Sequence, residues 1–414
     1  MIKILNTADF HANSNYENFK KSYEQIVDYV VNNDINAVLI AGDIFDSRIF
    51  AGKQYTNILE DIRLLACYCS VLIVQGTPSH DFANSFSPFE KGLIKTDYPV
   101  HIINNHWFDN DTTVYYIDDV PDTPNPDPTK RTLHLQQRKV VQNTELFASY
   151  YKSGDLKNKK NLCTIQGLAW VSKNRWLTDN EIKNLHTNQQ NELFVQRTDE
   201  YFVETKKFNT MFPYPSIWMG HLQLENILFS KGQDISSDSH PMRWVQGLAD
   251  KVVLGHIHKA DDLYCGSIYN KTWGEMEEKS FRVISIEDNK ILSDERIKID
   301  TPMMIKVQCD MDEYKKIKKT NMVDDVSVTG NKVWLRITVG NKKTINVEKE
   351  LEHWKDICDM RLEVETIKTE AVQRLSDYDK SMGLVDKFKL FCKQKGTEAS
   401  EFQISKLIEL EENK

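Results

Sequence analysis

Val38-Leu39-Ile40-Ala41-Gly42-Asp43-Ile44-Phe45-Asp46 is the stretch whose reading decides the fold. Its apolar start shows no polar alternation, as in a strand buried on both faces, and a glycine turn then delivers a carboxylate at once. In open α/β sheets functional groups collect outside the carboxyl ends of the strands, which puts Asp43 where a site would form. A Gly-Asp pair alone is weak evidence. It gains weight because other strand ends carry metal-type side chains: Asp9 and His11, Ser79 and His80, and the pair His256 and His258.

Working outward, Ile2 to Leu5 is a short apolar strand that leads into Asp9-Phe10-His11. Alternate residues at a strand end can turn a carboxylate and an imidazole toward one ion. Phe19, Tyr23, Ile26 and Val30 recur at helical spacing, as do Ile58, Ile62 and Leu65, and Val71 to Val74 is a third strand. The order β-α-β-α-β predicts a parallel sheet. The third strand runs into Gln75-Gly76-Thr77-Pro78-Ser79-His80-Asp81, a sharp loop that offers a hydroxyl, an imidazole and a carboxylate at the same sheet edge. Further on, Ile217 to His221 and Val252 to His258 are apolar strands that end in Gly-His and Gly-His-Ile-His. Two imidazoles two residues apart past a buried strand can face adjacent ions, or an ion and its substrate. Between these blocks, residues 110–160 form an irregular insertion with a proline-rich loop, PDTPNPDPTK. QQRKVVQNTELFASYYKSGDLKNKK is expected to be a helix and a charged turn, and Thr178 to Lys207 a polar helical region.

Composition narrows the class. A chain of 414 residues can bury a large core in two or three domains, and 40% hydrophobic content is ordinary for a globular protein. No apolar run approaches the roughly eighteen residues of a membrane span, and MIKILNTADF lacks a signal-peptide pattern, so a cytoplasmic location without membrane association is expected. Seven thinly spread cysteines are expected to be reduced core thiols. The net charge of −8 excludes a generally basic nucleic-acid coat. It leaves room for DNA held by local basic patches and bound divalent ions.

The ordered series DFH, GDIFD, SHD, GH and GHIH resembles the calcineurin-like metallophosphoesterase superfamily, and within it most of all the bacterial SbcD nucleases of the MRE-eleven type. GDIFD with Asp46, and Tyr264-Cys265-Gly266-Ser267 followed by Gly274-Glu275 and Lys279, carry the finer likeness. The resemblance implies a two-sheet α/β sandwich flanked by helices, plus a small α+β capping domain and a C-terminal helical pair. It implies that Asp9, His11, Asp43 and His258 hold one metal, and that Asp43 bridges to a second held by His221 and His256. His80, with Asp81 beside it, would be catalytic. The expected cofactor is two Mn²⁺ ions, with Mg²⁺ as the alternative; a bridging carboxylate would set such ions about 3.5–4 Å apart. One departure stands out: the family's GNHD loop supplies an asparagine ligand, and Ser79 stands at that position here.

Beyond Lys298 the pattern changes. Met304 to Val307, Val333 to Thr338 and Arg361 to Glu365 alternate as half-exposed strands, and Glu348 to Ile357 has helical spacing. The expected domains are a nuclease domain over 1–298, an α+β capping and DNA-binding domain over 299–372, and a helix-loop-helix over 373–414. Lys315, Lys316, Lys318 and Lys319 are either phosphate contacts or a solvated helix face. From Ser381 to Lys414 two amphipathic helices flank Gly396, and they need a surface, their own domain's or a partner's. The resemblance implies an SbcC-type ABC ATPase as that partner. It also implies double-stranded DNA ends and hairpins as substrate, with a homodimer, through helices near Lys53 and from Asn84 to Lys95, inside a heterotetramer. Two rivals remain: another phosphatase or small phosphodiesterase of the superfamily, and a DNA-binding scaffold with a degenerate second metal site.

Overall fold

The computed structural model describes residues 1–48, 51–82, 84–104, 111–118, 134–141, 163–210, 214–230, 233, 239–323, 326–340, 354, 357–367, 383–394 and 396–412. They divide into two compact units, Met1–Ile305 with Ser327–Trp334, and Lys306–Val326 with Leu335–Lys414.

The first unit rests on two sheets. One contains β1 (Ile2–Thr7), β2 (Ala37–Ala41), β3 (Ser70–Val74), β4 (Val100–Ile103), β10 (Ser280–Glu287) and β11 (Lys290–Lys298), in the order β11-β10-β1-β2-β3-β4. Strands β1 to β4 run parallel, as the alternation of strand and helix predicts. The late hairpin β10-β11 adds antiparallel to β1. The second sheet contains β5 (Asp111–Asp118), β6 (His134–Val141), β7 (Cys163–Leu168), β8 (Ser216–His221) and β9 (Lys251–Gly255), in the order β6-β5-β7-β8-β9.

Continuous apolar runs arise because the strands are covered on both sides. In β2, Val38 and Ile40 join a core with α1 (Tyr16–Asn32) and α2 (Lys53–Leu65), where Phe19, Tyr23, Ile26, Ile58 and Ile62 meet them. The alternate residue Leu39 joins Leu72 and Val74 of β3 on the other face, against Ile217 and Met219 of β8 and Val253 of β9. Period 2 therefore divides each strand between a helix-facing core and an inter-sheet core. On the far side of the second sheet, Trp218, Val252 and Leu254 pack with Phe202 of a long helix, Thr187–Thr210. The result is the α/β sandwich expected from the motifs: helices, sheet, sheet, helices. Asp61 ties α1 to α2 by accepting from Tyr16 Oη at 2.8 Å and pairing with Lys20.

Two local expectations are overturned: the stretch 110–160 is not irregular throughout, because it supplies β5 and β6. QQRKVV does not begin a helix; it lies in β6, antiparallel to β5 with Val114 opposite Arg138. A strand at the outer edge of a sheet tolerates polar side chains, so its composition resembles a helix's solvated face. The proline-rich segment and the rest of that expected helix lie outside the described residues.

A three-stranded sheet, most of it in the second unit, contains β12 (Met304–Asp310), β13 (Lys332–Gly340) and β14 (Asp359–Ile367), in the order β12-β13-β14. A helix at Met311–Thr320 starts on a capping box made by Asp310 and Glu313, and it carries the lysine run. Tyr314 of that helix meets Trp354 edge-on at 5.3 Å. Apart from Trp354 and Ile357, the helix expected over Glu348 to Ile357 lies largely outside the described residues. Two terminal helices, Leu384–Gln394 and Glu401–Glu412, pack on each other on either side of Gly396. Among the described residues no helix is long and apolar enough to cross a membrane. The seven cysteines are free thiols.

Leu39 is fully buried between the sheets, so Leu39→Ala leaves a cavity there. We expect a loss of about 2–5 kcal/mol, read as a lower urea midpoint at constant slope; a change below about 1 kcal/mol would contradict the inter-sheet core.

Candidate metal centre

Parallel strands of the two facing sheets end on the same side, and their loops converge. The β1 loop is laced to the β2 loop by backbone bonds: the Asp9 amide to the Gly42 carbonyl at 3.0 Å, His11 to Asp43 at 3.0 Å, and Ala12 to Ile44 at 2.9 Å. Two glycines permit the approach. A Cβ on Gly42 would collide with the His221 ring, and one on Gly255 with the Ala41 carbonyl oxygen. Asp9, His11, Asp43 and His256 all have positive φ, at 52°, 41°, 52° and 91°. Left-handed backbone costs a non-glycine residue about 1–2 kcal/mol, and such strain concentrates at functional loops.

These loops gather the side chains into two overlapping sets. Asp9, His11 and His258 form one and Asp43, His221 and His256 the other, each with donor atoms within 4.8 Å of one another; His11, Asp43 and His80 form a third group that joins them. Asp43 Oδ2 is 3.2 Å from His221 Nε2 and 4.0 Å from His11 Nε2, so its carboxylate faces both sets.

The imidazoles are oriented from behind. His221 Nδ1 donates to the Ala41 carbonyl at 2.7 Å, His258 Nδ1 to buried Glu275 at 2.8 Å, and His80 Nδ1 to the Asp46 carbonyl. His11 Nδ1 faces the Asp46 carboxylate at 3.3 Å, and Lys271 pairs with that carboxylate. Each ring is left with Nε2 turned into the cluster, the arrangement by which outer partners fix the tautomer of a ligating histidine. His256 is the exception. Its Nε2 lies 3.3 Å from Gln223 Oε1, which leaves Nδ1 as the atom it could offer to an ion. The Nε2 atoms of His11 and His258 are only 3.0 Å apart, an approach that a shared cation relieves. Carboxylate and imidazole without thiolate suit Mn²⁺ or a similar divalent ion, so the residues present fit the metals the sequence suggests.

Charge follows the same layout. Burial raises the Asp9 carboxyl to about 6. Asp43 is held well below the ordinary carboxylate range: burial opposes this, and His221, His80 and His11 outweigh it. Burial pushes His11 and His256 down to about 3, which makes them neutral donors at physiological pH. His221 goes the other way, to about 9, because Asp43 and Asp9 overcome the effect of burial.

The remaining predicted site residues, His80, Asp81 and Ser79, occupy three different environments. His80 sits at the open side with its Nε2 4.0 Å from Asp43 Oδ2 and its side chain 24% exposed. Asp81 is fully buried, and its oxygens accept from the amides of Ile44 at 3.0 Å, Phe45 at 3.1 Å and Gly76 at 3.0 Å. Its carboxylate is thus spent on clamping the β2 loop to the β3 loop, which makes it a positioning residue. Ser79 is exposed. The hydroxyl that reaches the cluster is that of Thr77, 3.1 Å from Asp43 Oδ2 and 3.3 Å from His221 Nε2. Trp170, whose ring lies 4.9 Å from His256 and 5.7 Å from His221, and Gln223 carry no local sequence signal.

Residues 2–260 match the family model described as calcineurin-like phosphoesterase. No curated protein matches the chain. Among solved structures, one described as GAP50, the anchor in the inner membrane complex of Plasmodium, is similar with a TM-score of 0.38 and 12% identity, over 72% of this chain and 89% of that one.

Removal of the Asp81 carboxylate strands three buried amides. In the presence of chelator, Asp81→Ala is expected to lose about 3–5 kcal/mol against urea, while His80→Ala changes stability by less than about 1 kcal/mol. Equal stability of the two variants would refute the clamp.

Proposed function

The chain belongs to the calcineurin-like phosphoesterase family, and from that premise we propose that it is a Mn²⁺-dependent nuclease: a double-strand DNA exonuclease and single-strand endonuclease, the nuclease subunit of an SbcCD-like end-processing complex. Metal-dependent phosphoester hydrolysis is the chemistry of the family. The observation that carries its extension to this chain is Asp43, one buried carboxylate facing two sets of imidazole and carboxylate donors with His80 beside it.

Bound divalent ions would supply Lewis acidity at phosphoryl oxygens and a water acidified toward hydroxide. The chain's own groups do the rest. Asp43 stays ionised between the sets and holds them together. His258 is kept in its ligating tautomer by Glu275, itself ion-paired with buried Lys279 at 2.7 Å. With its Nδ1 hydrogen committed to the Asp46 carbonyl, His80 presents Nε2 to the open side, where the doubly protonated ring can hand its Nε2 proton to a departing sugar oxygen or stabilise charge on it. Trp170 packs its ring beside those of His221 and His256.

The choice of DNA is supported by the GDIFD form and by the Gly266-Ser267 loop. In that loop Gly266 has φ 80° and the Ser267 amide donates to the His258 carbonyl at 3.1 Å. A second, α+β unit with a lysine-bearing helix gives a polynucleotide further surface to contact, which a small substrate would not need. The terminal helices leave Leu384, Phe391 and Ile408 41–43% exposed, a suitable face for an SbcC-type ATPase. Dimerisation through α2 and the segment from Asn84 to Lys95, where Leu93 is exposed, belongs to the same proposal.

The test is cleavage of end-labelled blunt duplex DNA in Mn²⁺ by the full chain, alone and with an SbcC-type partner and ATP. Cleavage is expected to fall about 10²–10⁴-fold in His80→Ala and to vanish in Asp43→Ala. Hydrolysis of a simple phosphodiester with no cutting of any DNA would favour a small-substrate enzyme. Intact DNA binding without hydrolysis of either would favour a scaffold.

A further inference from the structure

The second donor set contains three protein ligands from the side chains that bind metals most often, Asp43, His221 and His256. A fourth atom stands among them. Thr77 Oγ1 is 3.1 Å from Asp43 Oδ2 and 3.3 Å from His221 Nε2, and those two atoms are 3.2 Å from each other. The three therefore form a nearly equilateral triangle. Donors bound side by side on one divalent first-row ion, at bond lengths of about 2.1–2.2 Å, are themselves about 3.0–3.3 Å apart. Each contact is also at hydrogen-bond distance; what singles the hydroxyl out is that it faces a candidate ligand atom of Asp43 and one of His221 at once.

The backbone prepares this placement. Gly76 lies so close to Asp43 that a Cβ there would collide with its amide and carboxylate. That closeness lets the Thr77 amide donate to Asp43 Oδ1 at 2.7 Å. Pro78 follows and biases Thr77 toward extended backbone, and a β-branched side chain has few χ1 choices, so the hydroxyl is held with little entropy left to lose. Ser79, two residues on, is exposed.

We propose that Thr77, through its side-chain hydroxyl, completes the second metal set in this chain and does the work that an amide does in the family's usual loop. The inference rests on the two-ion reading of the centre but not on DNA as the substrate. A neutral hydroxyl is a weaker donor than an amide carbonyl, so the two ions load at separable affinities, the Asp9–His11–His258 set first and the Thr77 set second.

Mn²⁺ titration of the full chain, followed by calorimetry and by electron paramagnetic resonance for coupling between paired ions, tests this without any catalytic assay. Thr77→Val, which keeps shape and removes the hydroxyl, is expected to weaken the second ion about 10–100-fold and leave the first within about twofold. Thr77→Ser is expected to restore the second ion, Thr77→Asn to tighten it, and Ser79→Ala to change neither. If the hydroxyl only orients Asp43, which faces both sets, Thr77→Val will weaken both ions together, and the proposal fails. It also fails if two ions bind to Thr77→Val as they do to the native chain. Should Thr77→Val not fold by circular dichroism, Thr77→Asn decides: no gain at the second ion overturns the proposal. A native chain that binds fewer than two ions would overturn the two-ion centre itself, a result distinct from the failure of DNA cleavage.

Discussion

Three amide hydrogen bonds to the Asp81 carboxylate fix the distance between the loop that carries Asp43 and the loop that carries Thr77 and His80. Neither loop is regular structure, and neither could hold a side chain to within a fraction of an ångström alone. The clamp works because Asp81 is fully enclosed, where a charged acceptor and its donors have no competing water. Burial and the Asp43 charge raise its carboxyl to about 6, and the amides of Phe45 and Gly76 pull the other way. A group of this kind acts on chemistry only through what it positions.

Around the clamp, charge is divided: His221 is held toward its charged form by Asp43 and Asp9, against the effect of burial. The carboxylate that faces both donor sets is kept anionic, and two of the imidazoles are kept neutral by burial. Metal ligands must be deprotonated to bind, so enclosure of His11 and His256 does part of the preparation before any ion arrives. The outer partners complete it. Glu275 and Asp46 are both held well below the ordinary carboxylate range: burial opposes this, but His258 and Lys279 in one case, and His11 and Lys271 in the other, prevail.

Much of this was legible in the sequence wherever a residue's environment is set by its own strand. Val38 to Ala41 had to be buried on both faces, and Asp9, His11, Asp43, His221, His256 and His258 stand at strand ends that the fold brings together. What was misread depends on partners far away in the chain. Counting back from His80 and Asp81 sets Ser79 at the family's asparagine position, and the sequence holds no sign that the contact of Gly76 with Asp43 brings Thr77 beside the cluster. The polar strand Gln136 to Val141 looked helical because its pairing with β5 is invisible to a local window. Trp170 and Gln223 meet the histidines only through tertiary packing.

Four of the candidate ligands share left-handed backbone. Asp9, His11, Asp43 and His256 hold positive φ values within loops that backbone hydrogen bonds lace to one another, so the cost of the conformation is carried by the folding of the unit. The centre therefore sits on restrained backbone, and its donors adjust to an ion's radius through side-chain torsions and not through movement of the loops. Exchange of one divalent ion for another should register as a change in affinity and residence time, with the loops themselves unmoved.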